Sequence, residues 1–370
     1  MRKALLFLIF IAIVFGCNTT EEGYLIKGVI KGDDIPLKNG VIYIQKANTK
    51  SVFDSTVIKN GRFRFKGKLL MPDRYMIFMK ELNHNIPIYL ENTEFRVEAF
   101  SDRLREANVI GGETQDLMNK TASKSRSVMT KYNLNHILGE LIKTDLSEEL
   151  RGGYVSVVNR ANNEMKSFID SIVASNPTSF YALLNLNEVV NVAKIEQVQM
   201  RVENFVTSGK FEGNSYLIKI KEILEKRKVL EPGKVAPDFT LLSLNDSMVT
   251  FSKIYRSNNF TILIFWSSWS NESIQFCKEI ADNYTLFQRR GVEIVGITVG
   301  DVQKNWEEKI RDENFSWLQL KDSKEVSVTS LYNVQMIPRA ILVNREGKII
   351  MNNNPAKEIL NYLVRNRSNN

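Results

Sequence analysis

A run of apolar residues from Phe260 to Trp266 constrains the fold more than any other feature of this chain. Such a run suits a strand buried on both faces of a sheet. A polar turn follows it, and then a helical pattern from about Ser270 to Arg290. Val292–Val299 and Ala340–Asn344 read as further buried strands, and the turn Arg345–Lys348 leads into a fourth. Alternating strands and helices predict a mixed α/β sheet covered on both faces.

Several motifs follow one another in this region: Gly233–Leu241, Phe265–Trp269, Trp306, Trp317, Ile337–Pro338 and Glu346–Ile349. Their order resembles the thioredoxin superfamily, specifically the AhpC/TSA and thioredoxin-like thiol–disulfide oxidoreductases of bacterial envelopes. The resemblance implies a thioredoxin-like fold over residues 231–370, with a cis-proline loop at Ile337–Pro338.

The sequence departs from this family where its chemistry resides. Active relatives carry Cys-x-x-Cys after the tryptophan at position 269, whereas this chain has serine at both positions, Ser270 and Ser273. Thiol–disulfide exchange needs a thiolate nucleophile and a second thiol that resolves the mixed disulfide. We therefore expect no catalytic residue here and a redox-inactive site. Ser270 is expected to cap the following helix, with Ser273 at its third position.

Cys277 is the remaining thiol of this region, and two interpretations of it stay open. It shares an apolar helical stripe with Ile280, Tyr284 and Phe287, which predicts an inert core position. The alternative is a thiol-dependent antioxidant enzyme or oxidoreductase that uses Cys277 alone. Serine catalysis is disfavoured because residues 231–370 contain no histidine.

Binding is the function that survives the loss of both thiols. The groove of a thioredoxin fold receives extended peptides by backbone pairing. We therefore expect a protein or peptide partner. The resemblance implies that this groove is bordered by Trp266, Trp269, Ser270, Ser273, Ile337 and Pro338.

Residues 24–112 carry a β pattern. Asn60-Gly61 is a strong hairpin signal, and Arg62-Phe63-Arg64-Phe65 alternates with a period of two. Further strands are predicted at Tyr75–Met79, Ile86–Leu90 and Phe95–Ala99. Their spacing predicts an antiparallel β-sandwich.

The same stretch carries a series of short motifs: Asp54-Ser55, Asn60–Gly67, Pro72, Tyr75, Leu90–Asn92 and Gly111-Gly112. Together they resemble the domain-of-unknown-function 4369 family of Bacteroidota envelope lipoproteins. The family offers no chemistry to carry over. A third interpretation of the whole chain makes the β domain the ligand-binding part and the thioredoxin-like module a spacer.

Residues 113–230 have helical periodicity and are expected to form a connector between the two domains. Met165, Phe168, Ile169, Ile172 and Val173 fall on one helical face. Asn176-Pro177 breaks that helix, and Thr178 or Ser179 is placed to cap the next one. Ser215–Val229 predicts another helix.

The first residues are expected to be a targeting segment and not part of the fold. Ala4–Phe15 is apolar and too short for a membrane span, and Val14-Phe15-Gly16-Cys17 resembles the lipobox of bacterial lipoproteins. The resemblance implies a signal peptide at 1–16, a lipidated Cys17 and a tether at 17–23. The chain would then be lipid-anchored in the cell envelope, on the periplasmic face or the cell surface of the outer membrane.

Composition excludes several classes. The net charge is +8, from 50 Lys and Arg against 42 Asp and Glu, but no basic block is present, so nucleic-acid binding is not expected. Two cysteines and two histidines disfavour a disulfide scaffold or a metal site, and no cofactor is expected.

Overall fold

The computed structural model describes residues 23–32, 35–323 and 327–366. The predicted signal peptide and Cys17 lie outside these residues. The chain forms two compact units, divided between Ala182 and Leu183. The division falls inside the predicted connector at 113–230, so its helices are shared between the units. None of the described helices combines the length and apolar character needed to cross a bilayer.

The N-terminal unit is built on a sheet of eight strands. Its spatial order is β6-β5-β2-β3-β4-β1-β7-β8. A short helix α1 (Ile35–Asn39) follows the first strand. The strands are β1 (Tyr24–Lys31), β2 (Gly40–Lys46), β3 (Val52–Lys59), β4 (Arg62–Gly67), β5 (Asp73–Phe78), β6 (Asn85–Leu90), β7 (Glu94–Phe100) and β8 (Asn108–Ile110).

The β-rich character of this unit is confirmed, but the purely antiparallel arrangement is wrong at one pairing. β1 runs antiparallel to β4 and parallel to β7, and all eight strands join one continuous sheet. The turn at Asn60-Gly61 is confirmed, because both residues have positive φ (49° and 74°). Phe63 and Phe65 alternate into the core, while Arg62 and Arg64, which alternate with them, stay exposed.

Six longer helices follow. The predicted break after the long helix is confirmed: α4 ends at Ser175, and the Oγ of Ser179 accepts the N–H of Ala182 at 3.1 Å to cap α5. The helices are α2 (Glu113–Lys131), α3 (Leu134–Leu141), α4 (Glu148–Ser175), α5 (Phe180–Val189), α6 (Ile195–Ser208) and α7 (Ser215–Lys228).

The C-terminal unit contains a five-stranded mixed sheet in the order β13-β12-β11-β14-β15. Beyond α7, a small hairpin and six further helices of the described residues accompany this sheet. The strands are β9 (Thr240–Leu242), β10 (Met248–Thr250), β11 (Phe260–Trp266), β12 (Val292–Thr298), β13 (Leu318–Lys321), β14 (Arg339–Asn344) and β15 (Ile349–Asn352). The helices are α8 (Phe251–Ser257), α9 (Asn271–Ala281), α10 (Tyr284–Gln288), α11 (Gln303–Asp312), α12 (Val328–Leu331) and α13 (Ala356–Arg365).

Strand β11 is central and buried on both faces, as its apolar sequence predicts. Leu263 and Phe265 enter the core on one side, while Ile264 and Trp266 enter the core on the other. The single helix predicted from Ser270 to Arg290 is wrong in one respect. It is divided into α9 and α10 at Asp282 and Asn283.

Candidate functional site

The candidate site lies where β11 ends and α9 begins, at the carboxyl edge of the parallel strands β11 and β12. Trp266 is the last residue of β11 and is fully buried, and its Nε1 donates to Oε1 of Gln319 at 3.1 Å. The expectation that Trp266 borders an open groove is therefore wrong. The side chain points into the core because both faces of β11 are covered. Trp269, in contrast, is 66% exposed.

Ser270 forms the predicted N-cap of α9. Its Oγ accepts the backbone N–H of Ser273 at 3.1 Å and lies 3.3 Å from Oε2 of Glu272, to which the hydroxyl donates. Ser273 is fully buried, and its Oγ has no hydrogen-bond partner among the described residues. Ser273 therefore offers no surface to a ligand, which corrects its expected place on the border of the groove. The reason is that the third residue of α9 turns towards the core.

Asp301 is a residue that the sequence analysis missed. Its carboxylate accepts the backbone N–H of Ser268 at 3.0 Å, the Ser268 hydroxyl at 2.6 Å and the Thr298 hydroxyl at 2.6 Å. These bonds fix the turn that presents Trp269. A polar residue just after a buried parallel strand could have indicated Asp301, because neighbouring parallel strands end at the same edge.

Cys277 lies in the core of the C-terminal unit, fully buried with Ile280 and Phe287. Burial raises the pKa of the Cys277 thiol far above its ordinary value, because a thiolate would lose its hydration there. The thiol is therefore protonated and shielded at neutral pH. This arrangement agrees with the core interpretation and gives no support to a reactive thiol.

The loop before β14 forms one wall of a groove. The peptide bond between Ile337 and Pro338 is cis, and Met336 beside it is 70% exposed. Among the described residues, the backbone N–H groups of Met336 and Ile337 have no backbone partner. The groove encloses about 520 Å³ and is lined by Asn271, Glu272, Gln275, Phe276, Glu279, Pro338, Pro355 and Ala356.

Arg339 supports this loop from behind. Its guanidinium donates to the backbone oxygen of Asn333 at 2.8 Å and to Oδ1 of Asn352 at 2.9 Å. Burial, together with the nearby positive charge of Arg227, lowers the pKa of Arg339 to about 10. The group remains charged at neutral pH. We assign Arg339 a positioning role, since it ties the loop to β15.

The geometry offers binding surface rather than a metal centre. No group of three or more His, Cys, Asp or Glu side chains is arranged to hold a metal ion within the described part of the chain. The site presents the exposed indole of Trp269, the exposed thioether of Met336 and two backbone N–H groups that have no backbone partner among the described residues. The groove itself is lined by α9 residues together with Pro338, Pro355 and Ala356. The central sheet and this helix–loop arrangement define a thioredoxin-like α/β domain.

Comparison with known families agrees with that class. Residues 232–351 match the AhpC/TSA family, and residues 24–118 match a domain of unknown function, DUF4369. The chain therefore carries an N-terminal DUF4369 domain and a C-terminal thioredoxin-like domain of the kind found in thiol–disulfide oxidoreductases.

Curated relatives match about a third of this chain. The thiol-disulfide oxidoreductase ResA of Bacillus subtilis is 26% identical over 124 residues, which cover 34% of this chain and 68% of ResA. ResA of Geobacillus thermodenitrificans is 26% identical over 117 residues, covering 32% of this chain and 66% of that protein. The match thus spans about two thirds of each relative.

Two solved structures are also similar. One is the thioredoxin domain of a thiol-disulfide oxidoreductase from Bacteroides vulgatus, with 22% identity and a TM-score of 0.35 over 38% of this chain and 99% of that one. The other is a thiol-disulfide oxidoreductase from Bacteroides fragilis, with 22% identity and a TM-score of 0.33 over 36% of this chain and 98% of that one.

Proposed function

We propose that this protein is a membrane-anchored, redox-inactive thioredoxin-like lipoprotein that binds an extended peptide or protein segment in the cell envelope. The observation that carries the proposal is the state of the two positions where active relatives would hold their thiols. Ser270 uses its hydroxyl to cap α9, and Ser273 is buried.

The chemistry of serine supports the loss of redox activity. A hydroxyl ionises far above neutral pH and has no reversible two-electron couple, so it cannot form or resolve a mixed disulfide. Cys277 does not replace the missing pair, because it is buried and its pKa is raised by burial. Neither a Cys277 enzyme nor a purely spacer-like role has a specific observation in its favour.

The groove supports peptide binding. Backbone N–H groups at Met336 and Ile337 are available to pair with an extended chain, and the side chain of Met336 exposes apolar surface in the same loop. Trp269 exposes further apolar surface just before α9, the helix that lines the groove. A thioether side chain adapts its shape to different partners. These features suit a ligand that adds its backbone to the loop and places an apolar side chain against Met336.

Membrane attachment rests on the lipobox resemblance at Cys17. Thioether-linked and amide-linked acyl chains each add about 0.8 kcal/mol of membrane affinity per buried CH₂ group. Mass spectrometry of the N-terminal peptide from native membranes tests this part. We expect lipid mass on Cys17 in the native chain and none in Cys17→Ser. An unmodified N-terminus in native membranes would refute the anchor.

Insulin reduction in the presence of dithiothreitol tests redox inactivity. The chain from residue 18 onward, which retains every described residue, is expected to reduce insulin no faster than dithiothreitol alone. Ser270→Cys/Ser273→Cys restores the two thiols and serves as the positive comparison. Catalytic turnover by the unmodified sequence would refute redox inactivity.

Selection from a library of random linear peptides tests the groove, with affinity then measured for the selected sequences. Met336→Glu is expected to weaken binding at least about tenfold, since it places a charge on an apolar contact surface. Met200→Glu is the matched control. Met200 is 56% exposed on α6, and it is not among the residues that line the groove. Equal effects of both variants would refute the assignment.

A further inference from the structure

We infer that the exposed face of strands β4, β1 and β7 in the N-terminal unit docks on an anionic phospholipid surface. Alternate residues of these strands point away from the core. Cations dominate that outward face. Its six basic residues are Lys27, Lys31, Arg62, Arg64, Lys66 and Arg96, and its acidic residues are Glu94 and Glu98.

Strand register concentrates the charge in one row. Lys27 lies opposite Arg64 on β4 and opposite Arg96 on β7, so three cations cross three adjacent strands. Like charges directly opposite one another destabilise a sheet. Packing within the unit therefore does not explain this row, whereas an anionic surface in contact with it does.

Neutralisation from within the chain is partial. Glu94 Oε1 lies 2.9 Å from Lys27 Nζ and 3.8 Å from Arg96 Nε. Among the described residues, neither Arg62 nor Arg64 forms an ion pair with a carboxylate. Both guanidiniums are exposed, so they are available to phosphate oxygens, for which the planar guanidinium is well suited.

The shape of the face suits lipid headgroups. A shallow hollow of about 430 Å³ is lined by four cations and one carboxylate of this face, namely Lys27, Arg62, Arg64, Arg96 and Glu98. Phe100, the last residue of β7, lies opposite Lys31 at the end of β1 and is 46% exposed. Arg103 and Lys31 lie 4.7 Å and 5.7 Å from the centre of its ring. An exposed aromatic ring flanked by cations is typical of surfaces that meet the membrane interface.

The short distance between Cys17 and β1 favours a membrane as the binding partner of the basic face. This choice rests on the proposed lipid anchor at Cys17. Residues 18–23 alone separate Cys17 from β1, so the two can be at most about 25 Å apart. Since β1 lies in the middle of the basic face, an anchor at Cys17 would keep this face near the headgroups. Its charge is complementary to theirs.

Vesicle sedimentation tests the inference on the chain from residue 18 onward, which has no lipid of its own. We expect binding to vesicles of phosphatidylcholine and phosphatidylglycerol at 7:3 and no binding to phosphatidylcholine alone. Arg62→Gln/Arg64→Gln/Arg96→Gln should weaken binding more than about twentyfold, because each cation near an anionic surface contributes about fivefold. Circular dichroism verifies that this variant is folded.

The matched control is Arg126→Gln/Arg160→Gln/Arg311→Gln, which removes the same charge from exposed arginines elsewhere and should bind normally. Equal losses in both variants would show an effect of net charge only and overturn the inference. Binding to polyphosphate without binding to vesicles would overturn the membrane assignment. Met336→Glu should bind vesicles normally, so a failure of the peptide-groove proposal is distinguishable from a failure of membrane docking. The absence of lipid on Cys17 would be seen separately, by mass spectrometry.

Discussion

The Oγ of Ser270 accepts the backbone N–H of Ser273 at 3.1 Å, so the two serines that stand where active relatives would carry thiols are joined by a helix cap. The bond satisfies one of the N–H groups that the first turn of a helix leaves without an intrahelical partner. The serine pair therefore has a structural role in α9 that is independent of any redox chemistry.

Removal of this cap should destabilise the C-terminal unit. We expect Ser270→Ala to lower its free energy of unfolding by about 1 kcal/mol and Ser270→Asp, which can cap, to lower it by less. All four tryptophans of the chain lie between positions 266 and 317, so their fluorescence during urea unfolding reports on this unit. Equal stability of Ser270→Ala and the unmodified chain would contradict the capping role.

Cys277 should be unreactive in the folded protein. Burial raises the pKa of its thiol, so little thiolate exists even at pH 9. We expect modification by Ellman's reagent to be at least about a hundredfold slower in the native chain than in guanidinium. Ser257→Cys adds an exposed thiol as a control, which should react at once. Fast labelling of Cys277 in the native state would contradict its burial and would favour the alternative of an enzyme that uses Cys277 alone.

Asp301 and Ser268 should be energetically coupled. The carboxylate of Asp301 accepts hydrogen bonds from the backbone N–H and the hydroxyl of Ser268. We therefore expect Asp301→Ala to destabilise the C-terminal unit by about 2 kcal/mol. In a double-mutant cycle with Ser268→Ala, the two losses should be clearly non-additive. Asp312→Ala, at an exposed position of α11, is the control and should change stability by less than about 0.5 kcal/mol. Additive losses would mean that the contact does not fix the turn.

Glu164 should make the N-terminal unit sensitive to acid. Hydrogen bonds from Lys124 at 2.5 Å, Lys131 at 2.7 Å and Tyr132 at 3.0 Å lower the pKa of Glu164 from 4.5 to about 2. A lowered carboxyl pKa stabilises the folded state above pH 4.5, and this stabilisation disappears as the pH falls towards 2.

The measurement for Glu164 has two parts. Carbon-detected NMR titration should give a midpoint near pH 2. Glu164→Gln should lower the thermal unfolding temperature at pH 7 and differ less from the unmodified chain at pH 3. Glu81→Gln, at an exposed position, is the control. A midpoint near 4.5 would show that the ion pairs do not form in solution.

Local patterns predicted the parts of the fold that local physics decides. The apolar residues of β11 give both its bounds and its central place, because only a strand covered on both faces has so few polar positions. Asn60-Gly61 gives the hairpin, because both residues accept positive φ. The parallel pairing of β1 with β7 was not predictable, since it joins segments distant in sequence and no turn fixes its register.

The candidate site was predicted less completely than the fold. Spacing placed Ser270 at the start of α9 and Cys277 on its core side, and both positions agree with the structure. The prediction that Trp266 and Ser273 border the groove was wrong, because a sequence motif indicates which residues lie near a groove but not the direction in which each side chain points. Asp301 and Arg339 were missed because their roles depend on contacts with Ser268 and Asn352 on other elements.

The central place of β1 affects how this chain can be shortened and how it folds. Its neighbours β4 and β7 come later in the sequence, so β1 cannot be paired on both sides until synthesis has passed Phe100. Deleting residues from the N-terminus past Tyr24 would not trim an edge strand; it would separate the two halves of the sheet. A mechanical pull on the N-terminus would likewise act on the middle of the sheet, where two ladders of hydrogen bonds must break together.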